Sequence, residues 1–321
     1  MGWSDIEPAV LQAIGVIYSI LVVASITGWV LPRIKPAGNF TELQQRITTW
    51  WVIITLFSLA ILSGKLVAIL FFAFVSFLAL KEYLSLIPTR RADRRVLFWA
   101  YLSIPFQYFW VYIEWYGVFI IFIPVYMFLL LPFRMLSIGN TDGFLKAAGT
   151  LHWGLMITVF SLSHAAFLLV LRLQDDLART PGPGLVLFLA MLTQLNDVAQ
   201  YIWGKTLGRH KVIPTVSPGK TWEGLIGGVL TTTLVGTMIG PYLTPMVMWQ
   251  SALGGFIIAV AGFVGDINIS ALKRDLHIKD SGSMLPGHGG ILDRVDSLTY
   301  TAPLFFHYIY YSFLWQTHGM K

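Results

Sequence analysis

The sequence predicts an all-α integral membrane protein, a polytopic bundle of about ten transmembrane helices with a polar cavity at the cytoplasmic boundary. Three observations carry this. Of 321 residues, 56% are hydrophobic and only 12% are charged, about half the charged share of an ordinary soluble domain. Apolar runs recur along the whole chain rather than forming one anchor. Basic residues gather in alternate connections between those runs.

A helix that crosses the hydrocarbon layer needs about 20 apolar residues, because lipid offers backbone N–H and C=O groups no partner. The first such run, 10–31, follows a start with two acids and no basic residue, which is not expected to act as a secretory signal. Runs 49–63 and 66–86 flank the tight turn Ser63-Gly64-Lys65. After the basic segment 90–95 come 96–111 and 115–133, then 153–171, 185–203, 223–245, 251–270 and 298–315. The second and fourth runs are short, so nine or eleven crossings fit the pattern as well. Trp29, Trp50, Trp51, Trp110, Trp115, Trp153, Trp203, Trp249 and Trp315 fall at or near these ends, as an interfacial aromatic belt requires.

With ten crossings, every Lys and Arg except Lys65, Arg172, Arg179 and Lys321 falls on one side. The positive-inside rule makes that side cytoplasmic and turns both termini outward. The net charge of +6 therefore has a topological reading, and no nucleic-acid partner is expected. The chain has no cysteine, which excludes disulfides, thiolate catalysis and Cys-based metal sites. No repeat stands out. Residues 1–180 read as a transmembrane scaffold half and 181–321 as a catalytic half of one membrane domain, since the unusual polar chemistry lies between Asn196 and Asp296.

The first polar cluster, Asn196-Asp197-Val198-Ala199-Gln200-Tyr201, lies inside an apolar run. A carboxylate there costs about 2.5–3.5 kcal/mol on insertion scales, so it faces a cavity, a partner or the headgroups. Asp197 and Tyr201 are four apart and share a helix face, whereas Asn196 and Gln200 have no evident role. The second cluster contains Ser217-Pro218-Gly219-Lys220-Thr221. Pro214 stands where a P-loop needs its first glycine, so that motif is rejected. What remains is a helix start at Thr221 beside Lys220, which suits a phosphate, although a plain basic surface loop reads the same way.

The third cluster runs from Gly265 to Ser297. Asp266, Ser270 and Lys273 share one helix face by their i, i+4, i+7 spacing, and Asp293 and Asp296 are i, i+3 at the start of the last run. Pro286-Gly287-His288-Gly289-Gly290 allows a sharp reversal that could return Asp293 toward Asp266. Carboxylates suit Mg²⁺, which also bridges substrate phosphates, while lysines and arginines offset phosphate charge. Interfacial salt bridges are the plainer reading of the same residues. His288 could be a ligand, a base or a hydrogen-bonding residue of the bend. Gly224/Gly228 and Gly236/Gly240 read as close helix packing.

Gly265-Asp266, Ser270, Lys273-Arg274, Lys279-Asp280, Gly282, Pro286 to Gly290, Asp293-Arg294 and Asp296 together resemble the signature of the phosphatidate cytidylyltransferases, or CDP-diacylglycerol synthases. Ser217-Pro218, Lys220-Thr221 and Glu223-Gly224 resemble that family's second motif, and Asp197, Tyr201 and Gly204 resemble a looser upstream segment. The likeness is specific over about residues 190–300. It implies transfer of CMP from CTP to phosphatidate, giving CDP-diacylglycerol and pyrophosphate, in a helical membrane fold that is often dimeric. It implies Mg²⁺, with a second metal ion allowed, on Asp266, Asp293 and Asp296. Asp266, Ser270, Lys273 and Asp293 would be catalytic. Ser217, Lys220, Thr221, Arg274, Asp197, Tyr201, His288 and Arg294 would meet CTP or phosphate. The expected place is a bacterial plasma (inner) membrane, with the site facing the cytoplasm.

The long N-terminal half and the basic loop 90–95 leave room for a CTP-dependent transferase acting on another lipid phosphate. A lipid kinase or a CDP-alcohol phosphotransferase is a further enzymatic rival, but the four-acid helix of the latter is absent. A transporter of an anionic substrate is the rival from another class, since intramembrane acids also line transport pathways.

Overall fold

The structure is a computed structural model that describes residues 7–34, 39–88, 90, 93–171, 182–282, 284 and 289–315. Pro286, Gly287, His288, Lys35, Arg91, Arg172, Arg179 and Lys321 lie outside the described residues, as does the side chain of Trp315. The described residues are overwhelmingly helical, with an isolated bridge between Lys211 and Thr221.

Among the described residues, nine long helices and one shorter helix fall at the ten predicted positions, the nine long ones first. They are α1 Pro8–Ile34, α2 Thr41–Leu62, α3 Lys65–Leu86, α4 Arg94–Tyr112, α5 Tyr116–Leu136, α6 Phe144–Val170, α7 Gly182–Thr206, α8 Trp222–Leu243 and α9 Met248–Asp275. A short turn of helix, α10 Leu292–Val295, precedes α11 Leu298–Tyr310, which continues through Tyr311–Trp315. Eight of these helices, α1–α3 and α5–α9, are long and apolar enough to cross a membrane. α4 falls short because Arg94 and Arg95 at its start, together with Gln107 and its Trp and Tyr residues, lower its hydropathy. α11 is shorter than the rest. Several helices outrun the predicted spans, because amphiphilic residues such as Glu42, Gln44 and Arg46 extend α2 beyond its apolar run.

α5 opens into a wider i→i+5 turn at Phe122–Met127, around Pro124, where the missing N–H breaks the regular ladder. α6 is the most buried span, with 78% of its apolar window inside the bundle. Its residue His164 is fully buried among Phe119, Phe160 and Phe306. By contrast, Leu230, Leu234 and Met238 on α8 are 63–70% exposed, an apolar stripe suited to lipid.

Helices α7, α8 and α9 pack closely because glycines remove side chains at their crossings. A Cβ at Gly228 would lie 2.4 Å from Gln200 Cγ, and one at Gly240 would lie 2.2 Å from Ser251 Oγ. Asn196 ties the three helices together. Its Nδ2 donates to Ala259 O at 3.0 Å, and its Oδ1 accepts from Thr232 Oγ1 at 3.3 Å.

Candidate active site

The three polar clusters meet at one end of this trio. The segment before α8 folds back on itself through the Lys211–Thr221 bridge. Thr221 caps α8, its side chain accepting from Gly224 N at 3.1 Å. Its hydroxyl is thereby engaged in starting the helix. Glu223, in the first turn of α8, accepts from the backbone N–H groups of Arg209 and His210 and pairs with His210 Nδ1 at 2.6 Å. The loop so fixed presents Lys220, which lies 2.5 Å from Asp266 Oδ2 on α9 and donates to Gln200 Oε1 on α7 at 3.0 Å. Arg274 Nε donates to Val216 O at 3.1 Å and binds the same loop to the end of α9.

α9 and the start of α11 approach closely at Gly265, where a Cβ would stand 2.6 Å from Asp296 O. This contact sets Asp266 near Asp296. Asp197 joins them from α7, held by Ser297 Oγ, which lies 3.2 and 3.1 Å from its two oxygens. The three carboxylates are close enough for their charges to act on one another. Burial, followed by the Asp266 and Asp197 carboxylates, pushes the Asp296 carboxyl well above its usual range. Lys220 and Arg294 supply opposing charge. Ser270 Oγ reaches Asp266 Oδ1 at 3.3 Å.

Asp293 has a different set of partners. Its Oδ1 accepts from Lys273 Nζ at 2.8 Å, and its Oδ2 accepts from Ser281 N at 2.8 Å and Gly290 N at 3.1 Å. Burial opposes its ionisation. The Lys273 hydrogen bond and charge, with the two N–H groups, outweigh that and hold the carboxyl below its ordinary value. The acids gathered with Asp266 are therefore Asp197 and Asp296, while Asp293 anchors the signature turn and orients Lys273. Tyr201 is 65% exposed and pairs with Lys205 rather than with Asp197. Ser217 makes backbone turn contacts to Ile213 and Lys220.

Among the described residues, no three Asp, Glu or His side chains form a ready metal cage. Mg²⁺ does not demand one, since it keeps several waters and takes one or two carboxylates plus substrate phosphates. Hard oxygen donors crowded on Asp197, Asp266 and Asp296 fit that chemistry. Asp293, with both oxygens already accepting bonds, fits it less well. Among the described residues, Gln200 Nε2 and Arg294 Nε, beside the cluster, are buried without a hydrogen-bond partner.

The "Cytidylyltransferase family" profile matches residues 44–312. The chain belongs to that family. It is 44% identical over 300 residues to "Uncharacterized protein YnbB" of Escherichia coli strain K12, covering 94% of this chain and 98% of the relative. It is 30% identical over 279 residues to a phosphatidate cytidylyltransferase of Staphylococcus saprophyticus, covering 82% and 97%. A phosphatidate cytidylyltransferase of Haemophilus influenzae is 38% identical over 150 residues, covering 44% and 52%.

In this cytidylyltransferase-family chain, sequence reasoning left Asn196 and Gln200 without roles and passed over Glu82. Asn196 clasps three helices, and Gln200 holds Lys220. Glu82, on α3, is buried and accepts from Ser281 Oγ, from Ile291 N at 2.9 Å and from Leu292 N at 3.0 Å. The available signal was an acid within an apolar run, directly after Lys81.

Proposed function

We propose that this protein is a phosphatidate cytidylyltransferase, which forms CDP-diacylglycerol and pyrophosphate from CTP and phosphatidate at the cytoplasmic face of a bacterial membrane. The observation that carries the reading is the Lys220–Asp266 contact, which joins the two family motifs at a cluster of acids beside unengaged buried donors. The relatives named phosphatidate cytidylyltransferase support the same activity. The asymmetry of basic loops supports the orientation.

In the reaction, a phosphatidate oxygen forms a bond to the α-phosphorus of CTP as the bond from that phosphorus to the β-phosphate bridge breaks. The electron pair leaves on pyrophosphate. The attacking oxygen is already anionic, so little general-base help is needed. Mg²⁺ held by Asp266, with Asp197 and Asp296, would neutralise charge that develops on the transferring and leaving oxygens. Lys220, positioned by Asp266 and Gln200, offsets repulsion between the two anionic substrates. Lys273, aimed by Asp293, and Arg294, with its unengaged Nε, add donors for phosphate oxygens. Such preorganised donors act strongly where water is scarce.

The test is purified protein with labelled CTP, Mg²⁺ and a panel of lipid phosphates. CDP-lipid formation with phosphatidate as the best acceptor is expected. Turnover confined to another lipid phosphate would move the acceptor assignment, and no CTP-dependent product would remove the reading. Arg90 bears on the acceptor. It pairs with Asp93 at 2.5 Å and donates to the carbonyls of Asn140 and Asp142. This member of the basic loop is thus engaged in holding the scaffold half.

A further inference from the structure

Glu82 belongs to the half of the chain that carries none of the signature, yet its carboxylate meets both described ends of the signature turn. Oε1 accepts from Ser281 Oγ and Leu292 N, and Oε2 accepts from Ile291 N. A Cβ at Gly290 would lie 2.0 Å from Oε1, and one at Gly282 would lie 3.0 Å from Oε2. Glycine at both ends is what lets the backbone close around this acid. From the other side, Asp293 Oδ2 takes Ser281 N and Gly290 N. The two ends of the turn are thus clasped between two carboxylates. One comes from α3 and the other from the turn's own exit. An acid within a spanning helix is costly and persists where it has partners or a task.

We propose that Glu82 is a positioning residue for cytidylyl transfer: by clasping Ser281 and Gly290–Leu292, it holds Asp293, and through it Lys273, where they meet the nucleotide phosphates. The proposal rests on the functional reading above. It assigns the scaffold half a share in the reaction, since movement of α3 would displace the turn. Glu82→Gln keeps the shape but replaces one acceptor oxygen with an NH₂ group that confronts N–H donors, leaving buried groups unpaired.

The test uses full-length wild type, Glu82→Gln, Glu82→Asp and Ser281→Ala. Each is also made with Met284→Cys as its sole thiol, because the chain has no cysteine and Met284 is exposed. Two readouts are taken on monodisperse protein: kcat and KM for CTP, and the rate of maleimide labelling at position 284. Glu82→Gln is expected to lose at least about tenfold in kcat per folded molecule, or about 1.4 kcal/mol, and to label several-fold faster. Glu82→Asp, which keeps the charge, should recover part of both. Ser281→Ala removes one donor but keeps the backbone bond to Asp293, so it should fall between, and it decides the matter if Glu82→Gln does not fold. Wild-type labelling together with near-wild-type kcat in Glu82→Gln would overturn the proposal, because a residue that only holds the fold would leave both unchanged. If wild type forms no CDP-lipid from any acceptor, the functional reading falls. Labelling then still decides whether Glu82 holds the turn, and an unchanged rate overturns the clasp itself.

Discussion

Replacing Asp293 and Asp266 in turn by Asn should have unequal effects on stability and similar effects on activity. Asp293 and Lys273 are 6% and 16% exposed at their side chains and 2.8 Å apart. Breaking a buried pair by removing one partner costs about 3–5 kcal/mol. The residual exposure of Lys273 lets water relieve part of that, so about 2–4 kcal/mol is expected. An asparagine cannot satisfy this site. Whichever way its amide turns, an NH₂ group faces either the Lys273 ammonium or the N–H groups of Ser281 and Gly290. Asp266 differs because it stands among acids. Its loss removes a contact to Lys220 but also relieves repulsion with Asp197 and Asp296, and Lys220 keeps Gln200. The net change should stay within about 1 kcal/mol. The assay compares apparent melting midpoints in one detergent at one scan rate with CDP-lipid formation. Asp293→Asn should melt roughly 5–10 °C lower and Asp266→Asn within about 3 °C of wild type. Both should lose at least about 10²-fold in turnover, the scale of one transition-state electrostatic contact. An Asp266→Asn protein that melts as low as Asp293→Asn, or that turns over normally, would refute the division of roles.

Other expectations concern pH, packing and topology. The Asp293 carboxyl lies below its ordinary value, so its stabilisation is fully present above about pH 4 and is lost as pH falls through the lower folded value. The melting difference between wild type and Asp293→Asn should therefore hold steady from about pH 5 to 8 and shrink only in stronger acid; a difference that fades near neutrality would contradict it. Gly228→Ala places a methyl 2.4 Å from Gln200 Cγ. It should push α7 from α8, displace the residue that holds Lys220 and weaken turnover more than Gly149→Ala, where nothing lies within 4 Å; equal activity in the two would argue against that route. Single cysteines at Lys279 and Ile113, both exposed, should label from opposite sides of intact cells. Position 279 should be reached only after permeabilisation, and outside labelling there would reverse the orientation.

Much of this architecture was legible because membrane segments obey a coarse rule. Apolar length and flanking Trp and Lys/Arg locate helices without reference to tertiary contacts. That rule counts apolar residues only, so it missed the polar extension of α2 and gave α4 a span that its aromatic and amide content does not fully support. At the site, motif spacing put Asp266, Ser270, Lys273 and Asp293 in one neighbourhood. Spacing could not tell which acids face one another. A helix crossing at Gly265 places Asp296 beside Asp266, and backbone N–H groups of the turn take up Asp293. Glu82 lay about 200 residues from its partners, and no local pattern reports a contact of that range.

The central claim is that the α-phosphorus of CTP is transferred to a lipid phosphate. CTP labelled at the α-phosphorus and CTP labelled at the γ-phosphorus, each incubated with purified protein, Mg²⁺ and phosphatidate, test it directly. The α-label should appear in the lipid fraction and the γ-label in pyrophosphate, in equal amounts, with both signals lost in Asp266→Asn. Lipid that takes up the γ-label would make the protein a kinase, and lipid that takes up neither would contradict the account.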